Sequence, residues 1–372
     1  MRTVMKIFRP SKSKQNKKFF CNQLFALLII FICTIAATPI TKDNNSIVIG
    51  LTGDVMLGRL VNKQISRTNY QYPWGDMLPL LKKTDLNLIN LETTLTTSNK
   101  AVPKVFNFKS NPENVQTLKE ARIDVVTLAN NHILDFDVEG MKETLTTLDR
   151  AGTLHVGAGL NLAKAQQPVI ISKNDIIIGI VGYTDNEPGW KAAADKPGTN
   201  YIHVGTHKHV IEEIKELKKK VNILIFTIHW GPNMVQCPSK TFQAFAHSMI
   251  DAGVDIFHGH SAHIFQGIEI YKNKVIFYDT GDFVDDYYVT PSLRNDRSFL
   301  FLVEVDRQEI RGVQLVPVLV SHMQVNKAVD KDKEEMVKRM KALSQPFGTS
   351  IIESNEGVFV HIKTVGKKMD NM

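Results

Sequence analysis

Short apolar runs rich in valine and isoleucine recur along the chain, separated by longer amphipathic stretches. Continuous apolar runs of this length are typical of strands covered on both faces. The predicted strands are residues 47–52, 86–91, 125–129, 176–181, 223–228 and 254–257. The predicted helices between them include residues 112–121, 139–151, 210–220 and 239–252. This alternation predicts an α/β fold in which helices cover a layered sheet.

The pattern changes to hairpins toward the C-terminal half. Residues 268–271 and 275–278 flank a short polar turn, and residues 298–305 and 312–318 predict a second strand pair. A four-layer α/β/β/α sandwich, made of two facing sheets wrapped by helices, accommodates both halves of the chain. A plain doubly wound sheet is the structural alternative.

The length and composition agree with one large folded domain. The chain has 372 residues, 43% of them hydrophobic, and sits near the upper size for a single α/β domain. We expect one domain over residues 46–325. A C-terminal helix and tail, residues 326–372, are expected to pack on it.

The formal net charge of +7 is concentrated in the first 18 residues. That segment holds seven lysines and arginines and no acidic residue, and in the rest of the chain 38 Lys and Arg balance 38 Asp and Glu. This balance removes the charge argument for nucleic acid as a partner. An apolar stretch, residues 24–37, follows the basic segment.

The basic segment and the apolar stretch together predict export. They fit a cleaved secretory signal that ends near Ala36 and Ala37. They equally fit an uncleaved anchor, because Phe19 and Phe20 bring the segment close to the ~20 residues that cross a bilayer. We therefore expect residues 1–38 to be a signal peptide or an N-terminal membrane anchor. The remainder would lie in the periplasm or at the cell surface, held at the inner membrane if the anchor is kept.

Polar side chains follow five of the predicted strands. In chain order they are Asp54, Glu92, Asn131 with His132, His229 and His260. Open α/β sheets place their sites at the carboxyl ends of strands, so we expect these side chains to meet. Taken singly, each has an ordinary explanation, such as a helix cap for Asp54 or a hydrogen-bonded core position for His229.

Taken together, these side chains are better explained by bound metal. Several ionisable groups at the mouth of one sheet would repel one another unless something paired them, and a metal cluster does so. Mixed carboxylate, amide and imidazole ligands suit Mn, Fe or Zn better than Ca or Mg. Two such ions ~3.5–4 Å apart could activate a water and stabilise the leaving oxygen of a phosphoryl or acyl substrate.

Six short motifs occur in an order and spacing that resemble a known family. They are Gly53-Asp54-Val55-Met56-Leu57-Gly58-Arg59, Asn90-Leu91-Glu92, Ala129-Asn130-Asn131-His132, His229-Trp230-Gly231, Gly259-His260-Ser261-Ala262-His263 and the hairpin end Tyr278-Asp279-Thr280-Gly281-Asp282-Phe283. Together they resemble the bacterial poly-gamma-glutamate capsule-biosynthesis (CapA-type, PGA_cap) proteins, a branch of the calcineurin-like metallophosphoesterase superfamily. The resemblance covers residues 47–285 and implies the four-layer sandwich of metallophosphoesterase type.

The resemblance also implies a role for each matching residue. The implied ligands are Asp54 and His263 for one metal ion, Asn131, His229 and His260 for the other, and Glu92 as the bridge. His132 would protonate a leaving group, a role suited to an imidazole that titrates near neutrality. Arg59 would bind an anionic substrate group or form a structural salt bridge.

Several positions depart from the family pattern. Glu92 replaces the usual bridging Asp, the last motif is His-x-x-His instead of His-x-His, and Pro232-Asn233 stands where an acidic residue is expected. The first superfamily motif normally reads Asp-x-His, and here Met56, which is no ligand for a hard cation, stands at the second ligand position. The expected cofactor is therefore two divalent metal ions, or a single ion if that position is lost. The Gly-Asn-Phe of the capsule branch reads Gly281-Asp282-Phe283 here, which leaves room for altered substrate choice.

These features lead to three hypotheses for function. The first is an exported, metal-dependent hydrolase-like protein in the synthesis, transfer or release of a poly-gamma-glutamate type polymer, working with polymer-synthesis subunits at the membrane. The second is a general phosphoesterase for phosphorylated metabolites or cell-wall precursors. The third, favoured by Met56, is a non-catalytic membrane scaffold. The expected substrate is an anionic polymer or a phosphorylated compound.

Overall fold

The computed structural model describes residues 45–362. The signal peptide or anchor expected over residues 1–38 lies outside this range and stays a prediction. Within the described range, no helix is long and apolar enough to cross a bilayer.

Strands and helices alternate along the chain, as the apolar pattern predicts. The strands are β1 (Ile47–Val55), β2 (Leu86–Leu91), β3 (Thr94–Leu95), β4 (Lys109–Ser110), β5 (Val125–Thr127), β6 (Leu154–Val156), β7 (Ala158–Gly159), β8 (Val169–Lys173), β9 (Ile176–Thr184), β10 (Gly198–Thr199), β11 (Ile223–His229), β12 (Ile256–His260), β13 (Ile268–Tyr271), β14 (Lys274–Phe277), β15 (Asp282–Val284), β16 (Arg297–Val305), β17 (Ile310–Ser321), β18 (Gln324–Lys327), β19 (Ile351–Ser354) and β20 (Gly357–Val360). The α-helices are α1 (Arg59–Arg67), α2 (Leu78–Leu81), α3 (Val115–Glu120), α4 (Asp137–Ala151), α5 (Leu162–Ala165), α6 (Lys208–Lys218), α7 (Lys240–Ala252) and α8 (Asp330–Ser344).

Two sheets form the centre of the fold. The larger sheet has ten strands, in the order β19-β20-β17-β16-β1-β2-β5-β6, with β15 beside β1 and β18 beside β17. The smaller sheet has six strands, in the order β13-β14-β12-β11-β9-β8. Neighbours from β1 to β6 in the larger sheet and from β14 to β9 in the smaller one run parallel. Their carboxyl ends are therefore grouped within each sheet.

The apolar residues separate into three layers. Ile49 of β1 belongs to the same buried cluster as Ile178 of β9 and Ile225 of β11, so one core lies between the sheets. A second core joins the larger sheet to α3 and α4, and a third joins the smaller sheet to α6 and α7. Both faces of each sheet are covered because side chains alternate along a strand. This confirms the four-layer α/β/β/α sandwich over the single doubly wound sheet.

The six predicted core strands and both predicted hairpins are present. One difference bears on the site. β1 continues through Val55 because β15 pairs with its end, where Asp54 is in register with Asp282. Asp54 therefore lies within a strand, with its backbone fixed by a neighbour on each side.

The C-terminal segment contributes strands as well as the expected helix. Met336, Val337 and Met340 of α8 are buried in the core between the sheets. β19 and β20 form a hairpin, and β20 extends the larger sheet by pairing with β17. The segment is thus part of the sandwich itself.

Candidate metal centre

Side chains from the ends of four parallel strands meet between the two sheets. Asp54 at the end of β1 and Glu92 just after β2 come from the larger sheet. His229 and His260 are the last residues of β11 and β12 in the smaller sheet and are directly paired in register. All four side chains are buried. The predicted convergence at the carboxyl ends is therefore what the fold produces.

One group of candidate ligands is rich in nitrogen. It consists of Asp54, His229 and His260, whose ligand atoms all lie within 4.8 Å of one another. The two Nδ1 atoms of the histidines are 3.0 Å apart, and Oδ1 of Asp54 lies 3.8 Å from His229 Nδ1 and 3.5 Å from His260 Nδ1. The other ring nitrogen of His260 lies 3.1 Å from the hydroxyl of Thr227. That contact fixes the ring so that Nδ1 faces the group.

A second group is rich in carboxylates. It consists of Asp54, Glu92, His263 and Asp282, again with ligand atoms within 4.8 Å. Nδ1 of His263 is 2.8 Å from Asp282 Oδ1 and 3.3 Å from Asp54 Oδ2. The sequence indicates Asp282 only as a departure from Gly-Asn-Phe, because Asp282 begins β15 and reaches the centre through the pairing of β15 with β1.

Asp54 belongs to both groups. The resemblance implies Glu92 as the bridge, and Oε1 of Glu92 lies 3.8 Å from His229 Nε2 in the nitrogen-rich group. Both carboxylates therefore lie at the junction between the two groups.

A network of asparagine side chains contacts the candidate ligands. Nδ2 of Asn90 donates to Asp54 Oδ1 at 2.7 Å and lies 3.2 Å from His229 Nδ1. Nδ2 of Asn130 donates in turn to Asn90 Oδ1 and to the carbonyl of Leu91. The adjacent Asn131, the predicted ligand, keeps its Oδ1 buried and outside this network. Sequence reasoning identified Asn131 and missed the supporting role of Asn90 and Asn130.

Several buried ligand atoms fit a cation. The atoms Asp54 Oδ2, Glu92 Oε1, Asn131 Oδ1, His229 Nε2 and Asp282 Oδ2 have no hydrogen-bond partner within residues 45–362. A buried polar atom without a partner costs about 1–3 kcal/mol, and more if it is charged. Oxygen and imidazole nitrogen are ligands of Mn, Fe and Zn. The donor set therefore fits divalent metal.

The electrostatics of the centre agree with that fit. Burial lowers the pKa of His229 to about 3 and lowers the pKa of His260 well below its usual value, so both imidazoles are neutral near pH 7. Burial and then the charge of Asp54 raise the pKa of Glu92, and burial raises that of Asp282. Burial opposes the charged form of His263, but the carboxylates of Asp282 and Glu92 raise its pKa. A bound cation would release protons from the carboxylate-rich group.

His132 lies beside this centre with its ring fixed on two sides. Its Nδ1 is 2.5 Å from Asp135 Oδ2, and its ring stacks on Phe108 with the centroids 3.9 Å apart. The remaining nitrogen, Nε2, lies 3.7 Å from Glu92 Oε1. Burial lowers the pKa of His132, while the hydrogen bond and charge of Asp135 oppose that shift. Sequence reasoning found His132 and missed Asp135.

A groove of about 680 Å³ opens beside His132 and His263. Its lining includes Arg59, Lys104 and the aromatic side chains of Phe106 and Tyr288. Phe106 and Tyr288 are 59% and 81% exposed, so the mouth of the groove is apolar while its floor is polar.

Arg59 is positioned by both charge and aromatic contacts. Its Nη2 lies 3.1 Å from Asp286 Oδ1, and its guanidinium carbon is 5.5 Å from the ring centre of Phe108. The salt bridge that the sequence offered as an alternative is thus present. Arg59 also lines the groove, so the ion pair with Asp286 does not remove it from the groove.

Three residues at or beside the centre have strained backbone. Arg59, Ser261 and His263 have φ angles of 52°, 114° and 58°, in a region that non-glycine residues rarely occupy. Close packing of the backbone adds a further restriction, because a Cβ on Gly53 would lie 1.7 Å from the carbonyl oxygen of Gly281. This glycine allows β1 and β15 to approach and brings Asp54 beside Asp282.

Two facing sheets wrapped by helices, with carboxylate and imidazole groups at the strand ends, form the arrangement that the resemblance to metallophosphoesterases implies. Among solved structures, a 5′-nucleotidase precursor from Thermus thermophilus is 13% identical, with a TM-score of 0.43, covering 81% of this chain and 59% of that chain. A likeness this distant adds nothing to the topology described above.

Sequence comparison identifies the branch. The family described as bacterial capsule synthesis protein PGA_cap matches residues 48–287. A probable polyglutamine synthesis accessory protein of Mycobacterium tuberculosis is 34% identical over 319 residues, 81% of this chain and 84% of that protein. The PGA biosynthesis protein CapA of Bacillus subtilis is 31% identical over 296 residues, 76% of each chain. The chain belongs to the PGA_cap family of bacterial capsule synthesis proteins.

Proposed function

We propose that this chain is a metal-dependent hydrolase-like protein that acts on an anionic polymer of the poly-gamma-glutamate type. The observation that carries the proposal is the set of buried ligand atoms without partners in the described range, beside an open groove. The relatives named for PGA biosynthesis and for polyglutamine synthesis support the polymer as the substrate class.

The groups on this chain fit the roles that such a reaction needs. Divalent Mn, Fe or Zn, when bound by the two groups of ligands, would supply an activated water and stabilise charge on the leaving oxygen or nitrogen. His132, with its Nδ1 held by Asp135, would donate a proton to the leaving group from Nε2. Arg59, in the groove, would bind a carboxylate of the substrate.

We also propose that the protein is exported and works at the membrane beside polymer-synthesis subunits. The basic segment over residues 1–18 and the apolar stretch over residues 24–37 support this part of the proposal. Either a retained anchor or a cleaved signal is consistent with it.

The test combines metal content with activity on the same samples. Full-length chain in detergent is purified as wild type, as His229→Ala and as His258→Ala, and metal is measured by elemental analysis. His258 is the control for loss of an equally buried imidazole, because its ring contacts the carbonyl of Thr52 and the hydroxyl of Thr227 and belongs to neither group of candidate ligands. We expect His229→Ala to lose metal and cleavage of γ-linked glutamate oligomers, and His258→Ala to keep its metal.

The other hypotheses predict different results in this experiment. Cleavage of phosphate esters without cleavage of γ-glutamyl bonds would replace the polymer with a general phosphoesterase substrate. A metal-free protein that still restores polymer formation in a deletion strain would overturn the hydrolase and support the scaffold.

A further inference from the structure

Met56 stands where the wider superfamily has a ligand, and its side chain is committed elsewhere. It is fully buried in the apolar core that joins the larger sheet to its helices, together with Trp74 and Phe283. Its sulfur accepts the backbone N–H of Gly58 at 3.0 Å. Position 56 is therefore part of the hydrophobic packing.

Asp282 joins the carboxylate-rich group from the strand beside β1. β15 runs parallel to β1 with Asp282 in register with Asp54, and the N–H of Asp54 donates to the carbonyl of Gly281. Strands paired in this way hold the two carboxylates at a fixed separation. Asp282 is completely buried, and its Oδ1 is 2.8 Å from His263 Nδ1.

The buried oxygens of this group leave donor capacity for a cation. Oδ2 of Asp282, Oδ2 of Asp54 and Oε1 of Glu92 all lack a hydrogen-bond partner in the part of the chain that the structure describes. If all three of these buried carboxylates ionise, they carry more negative charge than His263 alone can offset. A divalent cation would balance that charge and satisfy the three oxygens together.

We infer that Asp282 is a ligand of the metal bound by Asp54, Glu92 and His263, and that it supplies the donor which Met56 does not. This inference rests on the proposed metal dependence. The resulting ligand set has three carboxylates and one imidazole, and the other group has two imidazoles. Hard cations prefer oxygen, so the carboxylate-rich position favours Mn²⁺ and the nitrogen-rich position favours a softer ion such as Zn²⁺.

The probe is Mn²⁺, added to full-length chain in detergent after chelator treatment, with bound ion counted by electron paramagnetic resonance and by elemental analysis. Asp282→Asn should bind about one equivalent fewer than the wild type, because an amide is a weaker ligand than a carboxylate. Asp282→Glu keeps a carboxylate and should retain at least part of that binding. If Asp282→Asn does not fold, Mn²⁺ binding is measured on Asp282→Ser instead.

Two controls test whether the effect belongs to this position. Met56→Leu conserves volume in the core and should bind as much Mn²⁺ as the wild type. Glu269→Gln changes a buried carboxylate that contacts His247 and Tyr278, outside the group of Asp54, Glu92, His263 and Asp282, and should also bind normally.

The outcomes separate this inference from the proposed function. Normal Mn²⁺ binding by folded Asp282→Asn or Asp282→Ser, or an equal loss in Glu269→Gln, would overturn the role of Asp282 and leave metal dependence standing. A wild-type chain that binds no Mn²⁺ would overturn the inference, while Zn²⁺ content and cleavage in the His229→Ala comparison decide the proposed function separately.

Discussion

The carboxylate of Asp135 lies 2.5 Å from Nδ1 of His132 and is itself buried. The same carboxylate accepts a hydrogen bond from the ammonium of Lys104 at 2.8 Å and another from the backbone N–H of Phe108 at 2.6 Å. With three partners, Asp135 cannot rotate freely. It therefore fixes the imidazole so that Nε2 faces the metal centre.

Replacing Asp135 should affect proton donation more than metal binding. A general acid contributes about 10²–10⁴-fold to a rate. We expect Asp135→Asn to lower kcat for polymer cleavage by up to that factor, to shift the pH profile, and to leave KM and metal content close to the wild type. Asp137→Asn, an exposed position at the start of α4, is the control. An unchanged kcat and pH profile would show that His132 does not depend on Asp135.

Arg59 should contribute to substrate affinity. Because its guanidinium lines the groove, we expect Arg59→Gln to raise KM for an anionic polymer while kcat falls less, and to weaken the dependence of KM on salt. Arg67→Gln, an exposed arginine at the end of the same helix, is the matched control. Equal KM values for both variants and the wild type would assign Arg59 to the salt bridge with Asp286 alone.

Asp185 should make the stability of the metal-free protein depend on pH. Burial raises the pKa of this carboxyl from 3.8 to about 6, although the N–H of Gly231 donates to it. Between those values the folded protein binds more protons than the unfolded chain, so this group lowers the free energy of unfolding as pH rises from 3.8 to about 6. Asp185→Asn, which cannot ionise, should gain stability relative to the wild type over that window.

The measurement is urea unfolding with chelator present at both ends of the window. Asp195→Asn, at an exposed position, provides the comparison for a lost surface carboxylate. A stability difference between Asp185→Asn and the wild type that does not change with pH would contradict the prediction.

The C-terminal helix should be essential for stability. Met336 on α8 is completely buried in the core between the sheets. Met336→Ala should lower the free energy of unfolding by about 2–5 kcal/mol, because it removes buried atoms and leaves a cavity. Lys338→Ala, exposed on the same helix, should change it by no more than about 0.5 kcal/mol. Equal urea midpoints for Met336→Ala and the wild type would mean that α8 does not stabilise the core.

The sequence predicts the central strands and most of the site for the same physical reason. Long runs such as that of β11 are apolar because both faces are buried, and a polar residue at the end of such a run, like His229, is conspicuous. Edge elements lack this contrast. β8 alternates partly buried and exposed residues, and β19 and β20 are only four residues each. None of these three strands has a sequence pattern that differs from that of a loop.

The missed site residues were hidden for related reasons. Asn90 lies inside an apolar strand and acts through a hydrogen bond to Asp54, which is a relationship between strands that a single sequence does not display. Asp135 follows His132 by three residues in a turn, where acids are common for ordinary reasons. Asp282 depends on the pairing of β15 with β1, which joins segments far apart in the chain.

The division of the ligands between the sheets has a consequence for assembly. Asp54, Glu92 and Asp282 come from the larger sheet or the segment after one of its strands, whereas His229, His260 and His263 come from the end of the smaller one. A cation held by both sets would link the two sheets through their ligands. Complete binding of such a cation would require both sheets to be folded and packed together.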